Sequence, residues 1–193
     1  MKNTNAWLQT FTGKIFEPMN PQPEMICIED IAHGLSHICR FSGQCQSFYS
    51  VSQHSAMASH VVALLDGFLL LSAEDRVGMQ LIALLHDASE AFIVDIPTMV
   101  KAELPRYKEI EAGVMRAVAK KFGLNIAAFD HPLIHEADAV MLATEKRDLM
   151  GPEPKPWIDL PKPYGGRIFP VEPKMAKQSF LERFTELGGV TAP

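Results

Sequence analysis

Cysteine is scarce in this chain of 193 residues, which holds only Cys27, Cys39 and Cys45. They are odd in number and no two form a C-x-x-C pair, so neither a disulfide framework nor a zinc ribbon is built from them. They read as reduced, mostly buried small apolar residues. Long apolar runs are also missing. The longest, residues 61–71, is interrupted by Asp66 and Gly67 and is too short to cross a bilayer. The opening MKNTNAWLQTFTG lacks an apolar core followed by a small-residue cleavage site, so no signal peptide is expected. A cytoplasmic protein without a membrane partner is the corresponding expectation. A basic cluster is the third absence: 18 Lys and Arg are outnumbered by 23 Asp and Glu, for a net charge of -5. Neutralising a DNA or RNA backbone takes a stripe of cations, so polymeric nucleic acid is excluded as the first partner. A small anion is not, because a few local cations or a metal ion offset a negative surface. Internal repeats and low-complexity tracts are lacking too.

What is present is apolar periodicity. Hydrophobic residues make up 47% of the chain, enough at this length for one domain over residues 1–193 with a substantial core. The spacing predicts an all-α bundle of six helices, with a helical core over about residues 29–150. The first helix runs from about Glu29 to Arg40, and the second starts near Ser50 or Ser52. The third opens at Ser72, where S-A-E-D resembles a capping box. The fourth spans roughly Arg106 to Phe122 and stops at Gly123. The fifth starts around Asp130 and Pro132 and runs toward Met150. After a proline-rich loop over residues 151–173, which holds 7 of the 14 prolines, the last helix covers about residues 173–188. Loops of that length in compact domains serve as functional lids or as straps over the core edge. Residues 7–28 have room for a short hairpin or extended arm.

The chemistry concentrates in ALLHDASEAFIVDIP, residues 83–97. A strongly apolar helix delivers an imidazole and a carboxylate side by side at its end, His86 and Asp87. Desolvating such groups without a partner costs several kcal/mol or more, so they must be hydrogen-bonded, paired or bound to a cation. Glu90 follows Asp87 by three residues and converges on it if the helix continues. Asp95 follows in a turn before Pro97. Asp138 in EADAV is an acid among residues otherwise fit for a core. His54, early in the second helix, would complete a set of two imidazoles and two carboxylates. Such a mixed set suits Zn, Mn, Co, Fe or Ni and leaves positions open for water and a substrate oxygen.

With these residues in order, the sequence resembles the HD-domain metal-dependent phosphohydrolases. It is nearest to the 5'-deoxynucleotidases and to bacteriophage enzymes that include dATP triphosphohydrolases. The matching pieces are Arg40-Phe41, YSVSQHS around His54, LLHDASEAFIVDIP, and EADAV around Asp138, within residues 26–150. The resemblance implies a divalent metal, Mg included among the candidates, held by His54, His86, Asp87 and Asp138. It implies that Arg40 holds a substrate phosphate, that Glu90 and Asp95 are catalytic or contact the sugar, and that the chain forms a homo-oligomer. Phe41 stands where the deoxynucleotidases carry a tryptophan that crowds the sugar, and Lys101 is a candidate second cation for the substrate. The implied activity is hydrolysis of a small 2'-deoxynucleotide phosphate, either a monophosphate or a triphosphate. Hydrolysis of an alarmone or a cyclic nucleotide, and a non-catalytic nucleotide-sensing HD module, are the alternative readings. His33, His37, His131 and His135 read as surface or capping groups. His60, about 120° around the helix from His54, does not share its site. For Trp157 and Tyr164 in the proline-rich loop, core packing is expected over stacking on a base.

Overall fold

The computed structural model describes residues 6–191. Residues 1–5, which begin the segment read above for a leader, and residues 192–193 lie outside the described residues.

The chain is mostly helical. A two-residue antiparallel pair, β1 (Leu8–Gln9) and β2 (Ile15–Phe16), supplies the hairpin expected near the start. Helix α1 (Ile28–His37) buries Ile28, Ile31, Ala32 and Leu35, a spacing of three and four that makes one apolar stripe. It stops before Arg40, short of the expected end. The reason lies in the backbone: Val51 donates to the Ile38 carbonyl and Arg40 to the Tyr49 carbonyl, and Cys39 and Ser50 form an isolated antiparallel bridge. These bonds hold Ile38 and Cys39 extended and place Arg40 in a tight turn at residues 40–43.

Helix α2 (Val51–Val61) begins where the Ser50 hydroxyl accepts from the Gln53 N–H, and α3 (Ala73–Leu85) where Ser72 accepts from Asp75. The chain then breaks into turns through residues 86–89 before a single helical turn, α4 (Glu90–Ile93). The third helix thus does not continue through Glu90. Helix α5 (Thr98–Ala102) was not legible from periodicity, being shorter than two turns. Helix α6 (Pro105–Lys121) leads to Gly123 at φ +66°, a left-handed stop. Helices α7 (Pro132–Leu149) and α8 (Pro173–Glu186) each open on a proline, and residues 151–172 between them carry no regular element.

Helix α2 is the hub, packed by α1, α3, α7 and α8. One apolar cluster joins Ile31, Leu35, Leu84, Val118 and Phe180; a second joins Val62, Ile82, Ile134 and Met141 on the other side. Position 54 in α2 is therefore fully buried. Among the described residues no helix is long and apolar enough to cross a membrane.

Helix α1 meets α4 at Gly34, where a Cβ would stand 2.7 Å from the Ala91 carbonyl oxygen and 2.9 Å from its Cα. Backbone cannot swing aside as a side chain can, so Gly34→Ala is expected to lower stability by about 1–3 kcal/mol. Gly78 in α3 has nothing within 4 Å of the same position. There the substitution is expected to stabilise by up to about 1 kcal/mol through helix propensity. Urea melts of both variants check the pair; equal behaviour would remove the close approach as a constraint.

Candidate metal centre and its pocket

Four elements converge on the buried end of α2. His54 lies one turn in from the Ser50 cap. His86 is the residue that ends α3, Asp87 follows in the turn, and Asp138 comes from the second turn of α7. His54 Nε2 is 3.3 Å from His86 Nε2, 3.7 Å from Asp87 Oδ2 and 3.3 Å from Asp138 Oδ1; His86 Nε2 is 3.3 Å from Asp87 Oδ2. Donors that share an ion at about 2.0–2.2 Å stand about 3–4 Å from one another, so the separations among His54, His86 and Asp87 suit ligands around one centre. Among the described residues, His54, His86 and Asp87 offer donor atoms that all lie within 4.8 Å of one another and are able to hold a metal ion. Asp138 reaches His54 but does not join that mutually close set.

The outer nitrogens explain why the inner ones are free to ligate. His86 Nδ1 is 2.7 Å from the Ala83 carbonyl oxygen, which only accepts, so Nδ1 carries the proton. His54 Nδ1 is 2.6 Å from Glu145 Oε1. Burial alone would raise the Glu145 carboxyl, but Arg40 and then His54 outweigh it and hold it below its ordinary range, so His54 Nδ1–H donates. Both Nε2 lone pairs then face each other beside Asp87 and Asp138. That geometry demands a positive charge between them. A proton supplies it when nothing else does: burial and Arg40 disfavour the His54 imidazolium, yet Glu145 and Asp138 carry it up to about 9.

Arg40 reaches the same centre from its turn. Its Nε and Nη2 each lie 3.1 Å from Glu145 Oε2, and its Nη1 lies 3.6 Å from Asp87 Oδ2. Glu145, fully buried, thus gives one oxygen to His54 and the other to Arg40. The sequence reading missed it. The available signal was its spacing of seven from Asp138, two helical turns along the same face.

Beside the metal set opens a pocket of about 420 Å³ lined by Arg40, Phe41, Asp87, Glu90, Asp95, Lys101, Asp138 and Trp157, among others. Every expected site residue except the two histidines, His54 and His86, lines it. Glu90 arrives on α4 rather than on a continued α3, and its Oε2 is buried without a hydrogen-bond partner. Burial first, then Asp87 and Asp95, push its carboxyl up to about 9, against the pull of Lys101 and Arg40. Burial likewise raises Asp95. Lys101 on α5 spans Glu90 Oε1 at 3.3 Å and Glu111 Oε1 at 2.7 Å. Phe41 and Ser42 both take left-handed backbone, φ +54° and +52°, a costly pair for residues with side chains and one that presents Phe41 at the pocket. His33 and His37 lie against each other with tilted rings, and Phe11 stacks on His33. His131 caps α7, and His135 pairs with Asp130 at the surface.

Residues 164–171 of the proline-rich segment are tied down. Arg147 donates to the Tyr164 and Gly166 carbonyls, Asp148 accepts from the Ile168 N–H, and Gln53 bonds Phe169 and Val171. Tyr164 packs on the second apolar cluster, as expected. Trp157 joins neither cluster and lines the pocket instead, which corrects the expectation that it packs in the core.

No known protein-family model matches the chain. It is 36% identical over 185 residues to a protein of Escherichia coli (strain K12) named only as uncharacterized protein YfdR, covering 94% of this chain and 96% of that one. It is 34% identical over 154 residues to an uncharacterized protein of Rhodobacter capsulatus, covering 76% of this chain and 74% of the other.

Proposed function

We propose that this chain, which belongs to the same family as YfdR of Escherichia coli, is a metal-dependent phosphohydrolase of the HD-domain type acting on a 2'-deoxynucleotide. The observation that carries the reading is the pair of Nε2 atoms 3.3 Å apart, each with its Nδ1 committed elsewhere, beside Asp87 and Asp138, which line a pocket that holds an arginine. The H…HD…D order of the sequence supports it. His54, His86, Asp87 and Asp138 would hold the ion, for which Mn, Co, Zn, Fe, Ni and Mg are the candidates. When bound, such an ion supplies an activated water and neutralises charge on a phosphoryl oxygen.

The chain's own residues do the remaining work. Arg40 offers its fork to the phosphate, with Nη1 the end least committed to Glu145. Glu90 and Asp95 are the two proton carriers, one orienting the attacking water and the other protonating the leaving oxygen. Burial raises both carboxyls, Glu90 up to about 9, which favours their proton-holding forms. Phe41 crowds the sugar and disfavours a 2'-hydroxyl.

Charge selects among the phosphorylation levels. The pocket is lined by two cations, Arg40 and Lys101, and both are already paired with carboxylates. Against them stand Asp87, Glu90, Asp95 and Asp138. One phosphoryl group finds partners there, whereas the extra charge of a triphosphate tail meets no uncommitted cation. The favoured substrate is therefore a deoxynucleoside monophosphate.

The test is a panel of mono- and triphosphates, an alarmone and a cyclic nucleotide with Mn, Co, Zn or Mg, with phosphate, pyrophosphate and triphosphate quantified separately. Inorganic phosphate from monophosphates is expected, lost on chelation and restored by metal. Triphosphate as the main product would overturn the single-phosphate assignment. Nucleotide binding without turnover under any metal would replace the hydrolase with a sensor.

A further inference from the structure

We infer that Trp157 is the base wall of this pocket: its indole stacks on the base of the nucleotide and makes the site select phosphate esters that carry a flat aromatic group. The inference rests on the proposed nucleotide substrate but concerns a residue that plays no part in hydrolysis.

Placement is the first argument. Asp138, Leu142 and Lys146 follow one another at four-residue intervals along one face of α7. Asp138 stands at the metal centre, Leu142 lines the pocket, and Lys146 Nζ lies 5.9 Å from the centroid of a Trp157 ring. A rise of about 1.5 Å per residue puts Leu142 about 6 Å and Lys146 about 12 Å beyond Asp138. A nucleotide whose phosphate meets Arg40 would reach along this ladder with its base at the level of the indole.

The second argument is what holds the ring there. Residues 151–156 and 158–159 are exposed, Ile158 by 80%, while Trp157 alone among them is partly covered. It meets the edge of Phe41 at 6.1 Å between centroids and 61° between planes, and it takes the Lys146 ammonium against its face. Lys146 is in turn paired with Glu153, whose carboxylate also accepts from the Trp157 backbone N–H at 3.4 Å. An indole belonging to no core cluster, in a segment exposed on both sides, is thus fixed at the rim of an active-site pocket. Stacking reads the π-face that every base has, so the wall favours nucleotides over sugar phosphates with little discrimination among bases.

Only Trp7 and Trp157 are tryptophans, and Trp7 lies at the exposed N-terminal hairpin, which gives a direct readout. In a Trp7→Phe background, titration with a deoxynucleoside monophosphate is expected to quench Trp157 fluorescence, and deoxyribose 5-phosphate is not. In parallel, Trp157→Ala is expected to lower the preference for nucleotide over deoxyribose 5-phosphate by about ten- to a hundredfold, mostly in KM, with Trp157→Phe recovering part of it. Equal losses on both substrates, or calorimetric binding of nucleotide with no fluorescence change, would overturn the base wall. Quenching without turnover of any phosphate would keep it and sink the hydrolase reading. Nucleotide turnover with an unchanged preference in Trp157→Ala would do the reverse.

Discussion

Asp87→Asn is expected to lower turnover of a deoxynucleoside monophosphate by about 10²- to 10³-fold or more, on the scale of removing one electrostatic partner of the transition state. The substitution keeps size and shape and removes a charge. Asp87 Oδ2 lies 3.3 Å from His86 Nε2, 3.7 Å from His54 Nε2 and 3.6 Å from Arg40 Nη1, so this one oxygen belongs both to the candidate metal set and to the arginine proposed to hold phosphate. An amide leaves three positive or metal-seeking groups with a neutral partner. Stability should change little, because the side chain is one fifth exposed and Arg40 keeps Glu145. Titration calorimetry with Mn or Zn should show weakened binding alongside the loss of turnover, with the melting temperature of the chelated protein nearly unchanged. Activity comparable to that of the unmodified chain would remove the metal set from the reaction.

Much of this site was legible because its signals are local. His86 and Asp87 announce themselves as polar residues that an apolar run has no use for. Asp138 does the same within ADAV, and Ser50 and Ser72 mark the helix starts as capping chemistry requires. The helices of three or more turns were readable from their stripes. Illegible features depend on contacts distant in sequence. The early end of α1 is dictated by hydrogen bonds from residues 49–51, invisible to a window centred on Arg40. Glu90 reaches the pocket by a broken helix rather than a continuous one, a distinction that periodicity over eight residues does not make. Trp157 sits in a segment with no period at all, so only its neighbours in space reveal that it faces the pocket. Glu145, in ATEKRDLM, looks like one more solvated charge near the end of an amphipathic helix.

Glu145 is also where the largest stability effect is expected. Its carboxylate is fully buried, 2.6 Å from His54 Nδ1 and 3.1 Å from Arg40 Nε and Nη2. Glu145→Ala leaves a largely buried guanidinium and a fully buried imidazole without their shared anion, and removing one partner of such a network costs about 3–5 kcal/mol. Glu145→Gln keeps the shape and an oxygen for one donor, so it should lose less stability while loosening the His54 ring that presents Nε2. Metal affinity is then expected to fall by about 10- to 100-fold, the usual effect of an outer partner of a ligating histidine. The pH dependence has a definite sign. Burial would raise the Glu145 carboxyl, but Arg40 and then His54 hold it below its ordinary range. A depressed folded pKa contributes stability that is present above the unfolded value and lost as pH falls through the folded one. The stability gap between the native chain and Glu145→Gln should accordingly be widest near neutrality and narrow under acid. Urea melts of the chelated proteins across that range would show it. A gap constant with pH, or a Glu145→Ala variant as stable as the native chain, would mean that the carboxylate is not the anion holding Arg40 and His54 together.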